Sequence, residues 1–319
     1  GENYTMFLMQ DGTVKACGYN YFGQLGIGDT NNRTSPVDLS IEGVKQIACG
    51  ATHTMFLMQD GTVKACGYNY SGQLGIGNTN NRTSPVDLSI EGVKQIACGA
   101  THTMFLMQDG TVKACGYNNY GQLGIGSTTQ RTSPVDLSIE GVKQIACGEN
   151  YTMFLMQDGT VKACGQNNYG QLGIGSTTQK TSPVDLSIEG VKQIACGYGH
   201  TMFLMQDGTV KACGYNSNGQ LGIGDTDDRT SPVDLSIEGV KQIADSYILL
   251  AIYSTQPHEI IFPPISTGGR IGINNIIINE ESGKGIREVE EPMISGGALD
   301  DVYLWTIPLN KKAISIRIR

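Results

Sequence analysis

Tryptophan is almost missing from this chain: among 319 residues only Trp305 is one, and histidine occurs four times. Charged residues make up 16% of the chain, the net charge is −8, and no run of lysine or arginine stands out. Binding a phosphate backbone needs concentrated Lys and Arg, so direct contact with nucleic acid is not expected. The apolar run Tyr247–Tyr253 has seven residues, far short of the roughly 20 that span a bilayer as a helix. The nine cysteines include no C-x-x-C pair, so zinc is not indicated. Their odd number argues against a disulfide framework, although it leaves an exterior setting open.

What the chain has in excess is glycine, 43 residues, and repetition. The segment TMFLMQDGTVKACG opens at Thr5, Thr54, Thr103, Thr152 and Thr201, and GQLGIG begins at Gly23, Gly72, Gly121, Gly170 and Gly219. The period is therefore 49 residues, and five copies fill residues 1–244. A unit of this length suits a propeller blade of four short strands. VKQIAC, TMFLMQ and TVKACG read as strands A, B and C, and the Asp11-Gly12 turn joins B to C as a hairpin. SPVDL reads as an outer strand D, because proline cannot donate to a central ladder. The sequence thus predicts an all-β propeller over 1–244, followed by a separate β-rich module over 245–319.

The segment ACGATHTMFLMQDGTVKACGYNYSGQLGIG, residues 48–77, resembles the repeat of the regulator of chromosome condensation family in its Cys-Gly, His-Thr, Asp-Gly, Gly-x-Asn and Gly-Gln-Leu-Gly-x-Gly. The resemblance extends to all five copies and implies a β-propeller, usually of seven blades. It does not fix an activity, since the family includes a nucleotide exchange factor for the small GTPase Ran, a plant ultraviolet photoreceptor and a bacterial β-lactamase inhibitor. The photoreceptor needs clustered tryptophans and the exchange factor a wedge inserted between strands; neither is present in the repeats.

Compared with one another, the copies differ in three windows. The first is Glu2, Asn3 and Tyr4, with His53, His102, Glu149, Tyr151, Tyr198 and His200 at matching positions. The second surrounds Asn20 and holds Tyr21, Phe22, Tyr70, Tyr120, Tyr169 and Asn218. The third holds Asp29, Asn31, Asn32, Asn78, Asp225, Asp227 and Asp228. In an antiparallel meander all three lie in the A–B and C–D connections, at one end of the strands. These residues are the candidate ligand-binding set. The charge agrees: the repeats contribute −6, and the six acids beyond the fixed, self-cancelling ones are Glu2, Asp29, Glu149, Asp225, Asp227 and Asp228. GQLGIG is the constant scaffold between the variable flanks, its glycines permitting positive φ or close approach and its Leu25 and Ile27 pinning the loop.

The Tyr, Asn, Ser and Asp content of these windows suits adaptable polar recognition with aromatic anchors, so the expected ligand is a protein or a glycan. A ring of His53, His102 and His200 invites a metal or catalytic reading, but tyrosine replaces them in two copies, which favours packing. Asp225, Asp227 and Asp228 lack the spacing and the bidentate glutamate of a calcium loop. No asymmetric catalytic constellation is found, so no enzyme and no cofactor are expected. Each cysteine is expected to be a small buried thiol.

Two origins fit a chain that starts inside a repeat: a fragment of a longer array, or a ring in which Val240–Ala244 completes the blade begun by Tyr4–Leu39. Residues 245–319 could cap the ring, mediate oligomerisation or dock it elsewhere. Near-identical copies fit a recently duplicated recognition surface, as in bacterial or phage surface and receptor-binding proteins, which favours that setting over the cytoplasm. An intracellular regulator or inhibitor of one protein is the rival reading, and a structural assembly part the third.

Overall fold

The computed structural model describes residues 1–244 and the strand backbones at 250–253, 306–309 and 312–315. Every described element is a strand. The first sheet holds β1 (Tyr4–Leu8), β2 (Val14–Gly18) and β3 (Arg33–Asp38). Three complete four-stranded sheets follow in meander order: β4 (Val44–Cys49), β5 (His53–Met58), β6 (Val63–Gly67) and β7 (Arg82–Asp87); then β8 (Val93–Cys98), β9 (His102–Met107), β10 (Val112–Gly116) and β11 (Arg131–Asp136); then β12 (Val142–Cys147), β13 (Tyr151–Met156), β14 (Val161–Gly165) and β15 (Lys180–Asp185). The fourth complete sheet is β16 (Val191–Cys196), β17 (His200–Met205), β18 (Val210–Gly214) and β19 (Arg229–Asp234). Beyond it β20 (Val240–Ala244) pairs with β21 (Leu250–Tyr253), and β22 (Thr306–Leu309) pairs with β23 (Lys312–Ser315). Two compact units result, Gly1–Ile276 with the five blades and Ile277–Arg319 with the β22–β23 hairpin.

This is the expected all-β propeller, with five blades visible: the four complete sheets run in the order A, B, C, D, and the first holds B, C and D. Of the two alternatives, closure of a ring by Val240–Ala244 onto the first blade is not the pairing adopted, since β20 pairs with β21. The rest of the 245–319 module lies outside the described residues.

Blades are held by their neighbours. The core gathered around Val14, Ala16 and Leu25 of the first blade takes Phe56, Met58 and Cys66 from the second, and the same triad recurs as Phe105, Met107 and Cys115 one junction further on. Burying one such phenylalanine or methionine stabilises by about 2 kcal/mol, so junctions, rather than single sheets, carry the fold. Glutamines lock the inner strands together: Gln95 Nε2 donates to the Ile145 carbonyl at 2.9 Å while its Oε1 accepts from Ile145 N at 3.1 Å. The exposed Lys15–Asp38 pair at 2.5 Å recurs in each blade, but such surface pairs are worth under about 1 kcal/mol.

At the invariant end of the strands, Gly12 has φ 82° and Gly43 φ 70°, and the two turns bind each other through Val44 N to Gly12 O at 3.1 Å. That contact gives the constancy of the glycines a structural cause. It does not account for Glu42 and Lys45, which are exposed and yet unchanged in every copy.

Candidate functional site

The C–D loop, residues 19–32, is organised around a buried amide. Asn20 Oδ1 accepts from Leu25 N at 2.9 Å, and its Nδ2 donates to the Asp29 carbonyl at 2.9 Å. Asn69, Asn118, Asn167 and Asn216 repeat the arrangement. GQLGIG then grips the next blade: the Gln24 carbonyl accepts from Thr54 Oγ1 at 2.7 Å and Cys66 Sγ at 3.6 Å, and Gly28 N donates to the Thr83 carbonyl at 2.9 Å. A side chain on Gly23 would meet the backbone of Thr83 at 2.6 Å, and one on Gly26 the Cys66 sulfur at 3.0 Å. The hexapeptide is therefore an interblade clasp, a role beyond the expected pinning of its own loop. Its constancy and that of Asn20 across copies were the available signal; their buried partners in the following repeat were not visible in the sequence.

The candidate set divides by burial. Tyr4, Tyr151, His53, His102 and His200 are buried and face inward, in keeping with the packing role favoured for this position and not with a place among the ligand-binding residues. Tyr4 Oη donates to the His53 carbonyl at 2.5 Å, and Tyr151 Oη bonds the His200 carbonyl. His53 Nε2 lies 3.0 Å from Thr103 Oγ1 and His102 Nε2 3.1 Å from Thr152 Oγ1. Tyrosine and histidine are two solutions to one junction, each reaching the next blade. Burial pushes His53 and His102 down to about 3, with the charge of His102 adding to the shift of His53, and pushes His200 down to about 4.

Much of the third window holds the loop itself. Asp29 Oδ1 accepts from Asn31 N at 2.9 Å and its Oδ2 from Arg33 at 2.6 Å, while Asn32 Oδ1 accepts from Asn20 N at 2.8 Å. Asn78 and Asp225 accept likewise from Asn80 N and Asp227 N, and Asp228 from Asn216 N. Such Asx turns restrict the first position to Asp, Asn or Ser. Backbone hydrogen bonds hold the carboxylates of Asp29 and Asp225 below the ordinary range, with ion pairing to Arg33 and Arg229 contributing. Among the described residues no group of three or more His, Cys, Asp or Glu is placed to hold a metal.

The remaining candidates form a surface. Phe22 packs on Tyr21 at 5.1 Å and crosses to Tyr68 of the second blade at 4.6 Å; Tyr68 in turn stacks with Tyr70 at 6.4 Å. Tyr21 and Tyr70 are 66% and 72% exposed, so a continuous aromatic strip runs over two blades. Tyr120 packs edge-on to Tyr117 within the third blade at 6.3 Å, and Tyr169 crosses from the fourth to Tyr215 of the fifth at 4.8 Å. Asn31, Asp227 and Asn218 are exposed.

Nearer the axis the first window forms a backbone relay, Glu2 N to Ala51 O, Ala51 N to Ala100 O, Ala100 N to Glu149 O and Glu149 N to Tyr198 O, at 3.0–3.4 Å. Glu2, Asn3 and Tyr198 project from it to solvent. Partial burial raises the carboxyl of Glu149; the Tyr198 hydroxyl, bonded to it, opposes the shift, and the charge of Glu2 adds to it.

Solved structures with the same fold include yeast RCC1 (Prp20) bound to Kap60, with TM-score 0.71 and 24% identity over 79% of this chain and 66% of that one. Human WBSCR16 gives 0.72 and 26% over 80% and 71%. Prp20p from Saccharomyces cerevisiae, described with its binding properties to Gsp1p and histones, gives 0.70 and 23% over 78% and 66%. The chain thus spans about two thirds of the length of these propellers. No curated protein matches the sequence. The regulator of chromosome condensation (RCC1) repeat matches residues 11–57, 60–106, 109–155, 158–204 and 207–245, and a second description of the same repeat matches 44–73, 93–122, 142–171 and 191–220. With five such matches along most of its length, the chain belongs to the regulator of chromosome condensation repeat family.

Proposed function

We propose that this chain is a non-enzymatic binding module that recognises a protein partner through the face carrying its variable loops. The observation that carries this reading is the exposed aromatic strip Tyr21–Phe22–Tyr68–Tyr70, built from varied residues on an invariant, internally bonded loop. Exposed aromatics beside adaptable polar groups are the composition of recognition surfaces. The yeast relative's structure in complex with Kap60 supports a protein ligand. A glycan is the second reading, favoured by the near-parallel pairs Tyr19–Tyr21 and Tyr68–Tyr70, at 14° and 17°, whose flat faces suit sugar rings. The near-identity of the copies supports a rapidly varied bacterial or phage surface as the setting, in preference to an intracellular regulator of one protein.

The test compares the native chain with two variants, Tyr21→Ser with Tyr70→Ser, and a levelled chain carrying the second repeat's window residues in all blades. Binding to arrays of bacterial surface glycans and to fractionated proteins is measured. A ligand held by the native chain and weakened at least tenfold by both variants supports the face as the site and names the ligand class. Equal binding by all three chains moves recognition to the invariant end or the C-terminal unit and overturns the reading.

A further inference from the structure

At the first blade junction a ring seals the loop face. Phe22 stands edge-on to Tyr19 at 6.3 Å and to Tyr21 at 5.1 Å within its own loop, and crosses to Tyr68 of the second blade at 4.6 Å. The fourth junction is closed in the same way, by Tyr169 against Tyr215 at 4.8 Å. At the second junction the surround is kept and the central ring is missing. Tyr68 and Tyr70 lie at 6.4 Å and 17°, as Tyr19 and Tyr21 lie at 6.4 Å and 14°, and Tyr117 takes the place that Tyr68 has one blade earlier. Ser71 stands where Phe22 and Tyr169 stand, and among the described residues no ring pair joins the second blade to the third. Three tyrosines thus frame a slot with a serine at its floor, and Tyr70 at its rim is 72% exposed.

Two polar features of the slot are unmet. Gln73 accepts from Ser71 N at 3.0 Å through Oε1, while its Nε2 is buried with no hydrogen-bond partner. One junction further on, Gln122 Nε2 donates to Asn150 Oδ1 at 3.3 Å; Thr101 stands at the place of Asn150, so the donor of Gln73 is left over, which is costly for a buried group. Charge is the second feature. Arg33 and Arg229 are neutralised by Asp29 and Asp225 at 2.6 Å and 2.5 Å. In the second and third blades Asn78 and Ser127 replace those acids, and among the described residues Arg82 and Arg131 bond only backbone carbonyls, Asn81 O at 3.2 Å and Gln130 O at 3.5 Å. Arg131 belongs to the slot: its carbonyl lies 2.8 Å from a notional Cβ on Gly72, the neighbour of Ser71. The six extra acids of the repeats all fall on the first, fourth and fifth blades.

We propose that the slot between the second and third blades takes an aromatic side chain from an acidic segment of the protein partner. The proposal rests on the variable face being the binding surface, and it names what that face binds. The choice of a ring follows from the chain's own use of Phe22 and Tyr169 at this place in two other junctions. Set there, the partner's ring stands edge-on to Tyr68 and Tyr70 and crosses to Tyr117, the arrangement that aromatic quadrupoles favour. The choice of an acidic segment follows from Arg82 and Arg131, which have no carboxylate of their own and lie on the part of the face that the extra acids avoid; such complementarity sets specificity and approach. A carbonyl of the same segment supplies the acceptor for Gln73 Nε2. An aromatic anchor in a pocket with polar contacts around it is the usual form of an interface hot spot.

The experiment is fluorine NMR on the full 319-residue chain, with the peptide Glu-Glu-Phe-Glu-Glu, fluorinated on its ring, as the probe. The native chain should bind it. Ser71→Phe puts the chain's own ring into the slot, a setting that the first junction shows to be compatible with the fold, and should weaken binding roughly tenfold or more with an unchanged circular dichroism spectrum. Arg131→Gln should weaken it severalfold, as should replacing the probe by Lys-Lys-Phe-Lys-Lys with the same ring. Ser40→Phe, which adds a ring at the invariant end, should leave binding as it is. No binding by the native chain, or equal binding of the two probes, overturns the proposal. Binding kept by Ser71→Phe but lost on Tyr21→Ser overturns the slot and leaves the face as the site, whereas binding lost on Ser40→Phe and kept by Ser71→Phe overturns both readings. A bacterial glycan held by the native chain and released by Ser71→Phe, with no peptide bound, assigns the slot to a sugar ring and overturns the aromatic segment.

Discussion

One position in each blade shows how little side-chain identity needs to be kept when its contact is kept. Tyr4 and Tyr151 reach carbonyls of the following blade, while His53 and His102 reach its threonine hydroxyl. The two residues differ in titration. Buried His53, His102 and His200 have folded values of about 3, 3 and 4, below the unfolded value near 6.5, so the unfolded chain binds the extra protons. Their contribution to stability is therefore complete above about pH 7 and is lost as pH falls from about 6.5 toward 3–4, with a slope of about 1.4 kcal/mol per pH unit for each histidine. Urea denaturation at pH 7 and pH 5 should show the native chain markedly weaker at pH 5. The variant His53→Tyr, His102→Tyr, His200→Tyr should lose most of that difference. The turn carboxylates of Asp11, Asp60, Asp109, Asp158 and Asp207, lowered chiefly by threonine hydroxyl hydrogen bonds, lose their contribution only on further acidification, as they protonate.

Among the strands and loops, the clasp makes a sharper claim than a general need for glycine. Gly72 and Gly92 both have positive φ, 79° and 68°, yet a Cβ on Gly72 meets Thr132 Cα at 2.6 Å and one on the turn glycine Gly92 meets nothing within 4 Å. Gly92→Ala should cost only the backbone penalty, about 1 kcal/mol. Gly72→Ala should cost clearly more, because backbone has to move. Differential scanning calorimetry of the two variants checks the ordering, and equal losses would show that φ alone keeps the glycines. The strands themselves were readable in the sequence, since short apolar runs and the Asp11-Gly12 turn mark them by local rules. The inward position of Tyr4 and His53 was not, because the residue that ends a loop and the one that starts a strand are adjacent, and burial there depends on the neighbouring blade. The same holds for Asp29 and Asn32, whose variation suggested a ligand but whose side chains serve the loop.

The molecule as a whole is an array in which each unit touches only its neighbours, so stability is a sum of unit and junction contributions. The third and fourth blades, β8–β15, have a described junction on each side, so their amides should exchange at rates near that of global unfolding; exchange there as fast as in the exposed loops would mean that junctions do not carry the fold. The recognition face was readable as a location, through the three windows, whereas the strip joining Phe22 to Tyr68 needed the curvature that brings one blade's loop over the next.

Because the four described clasps fit their following blades alike, the order of the blades carries little energetic information. A gene in which the second and fourth repeats trade places would encode a chain of nearly the same stability, with Tyr70 and Tyr169 exchanged on its face. The scaffold thus treats its blades as interchangeable tiles, and new surfaces arise by shuffling and recounting whole units, without any residue of the core having to change.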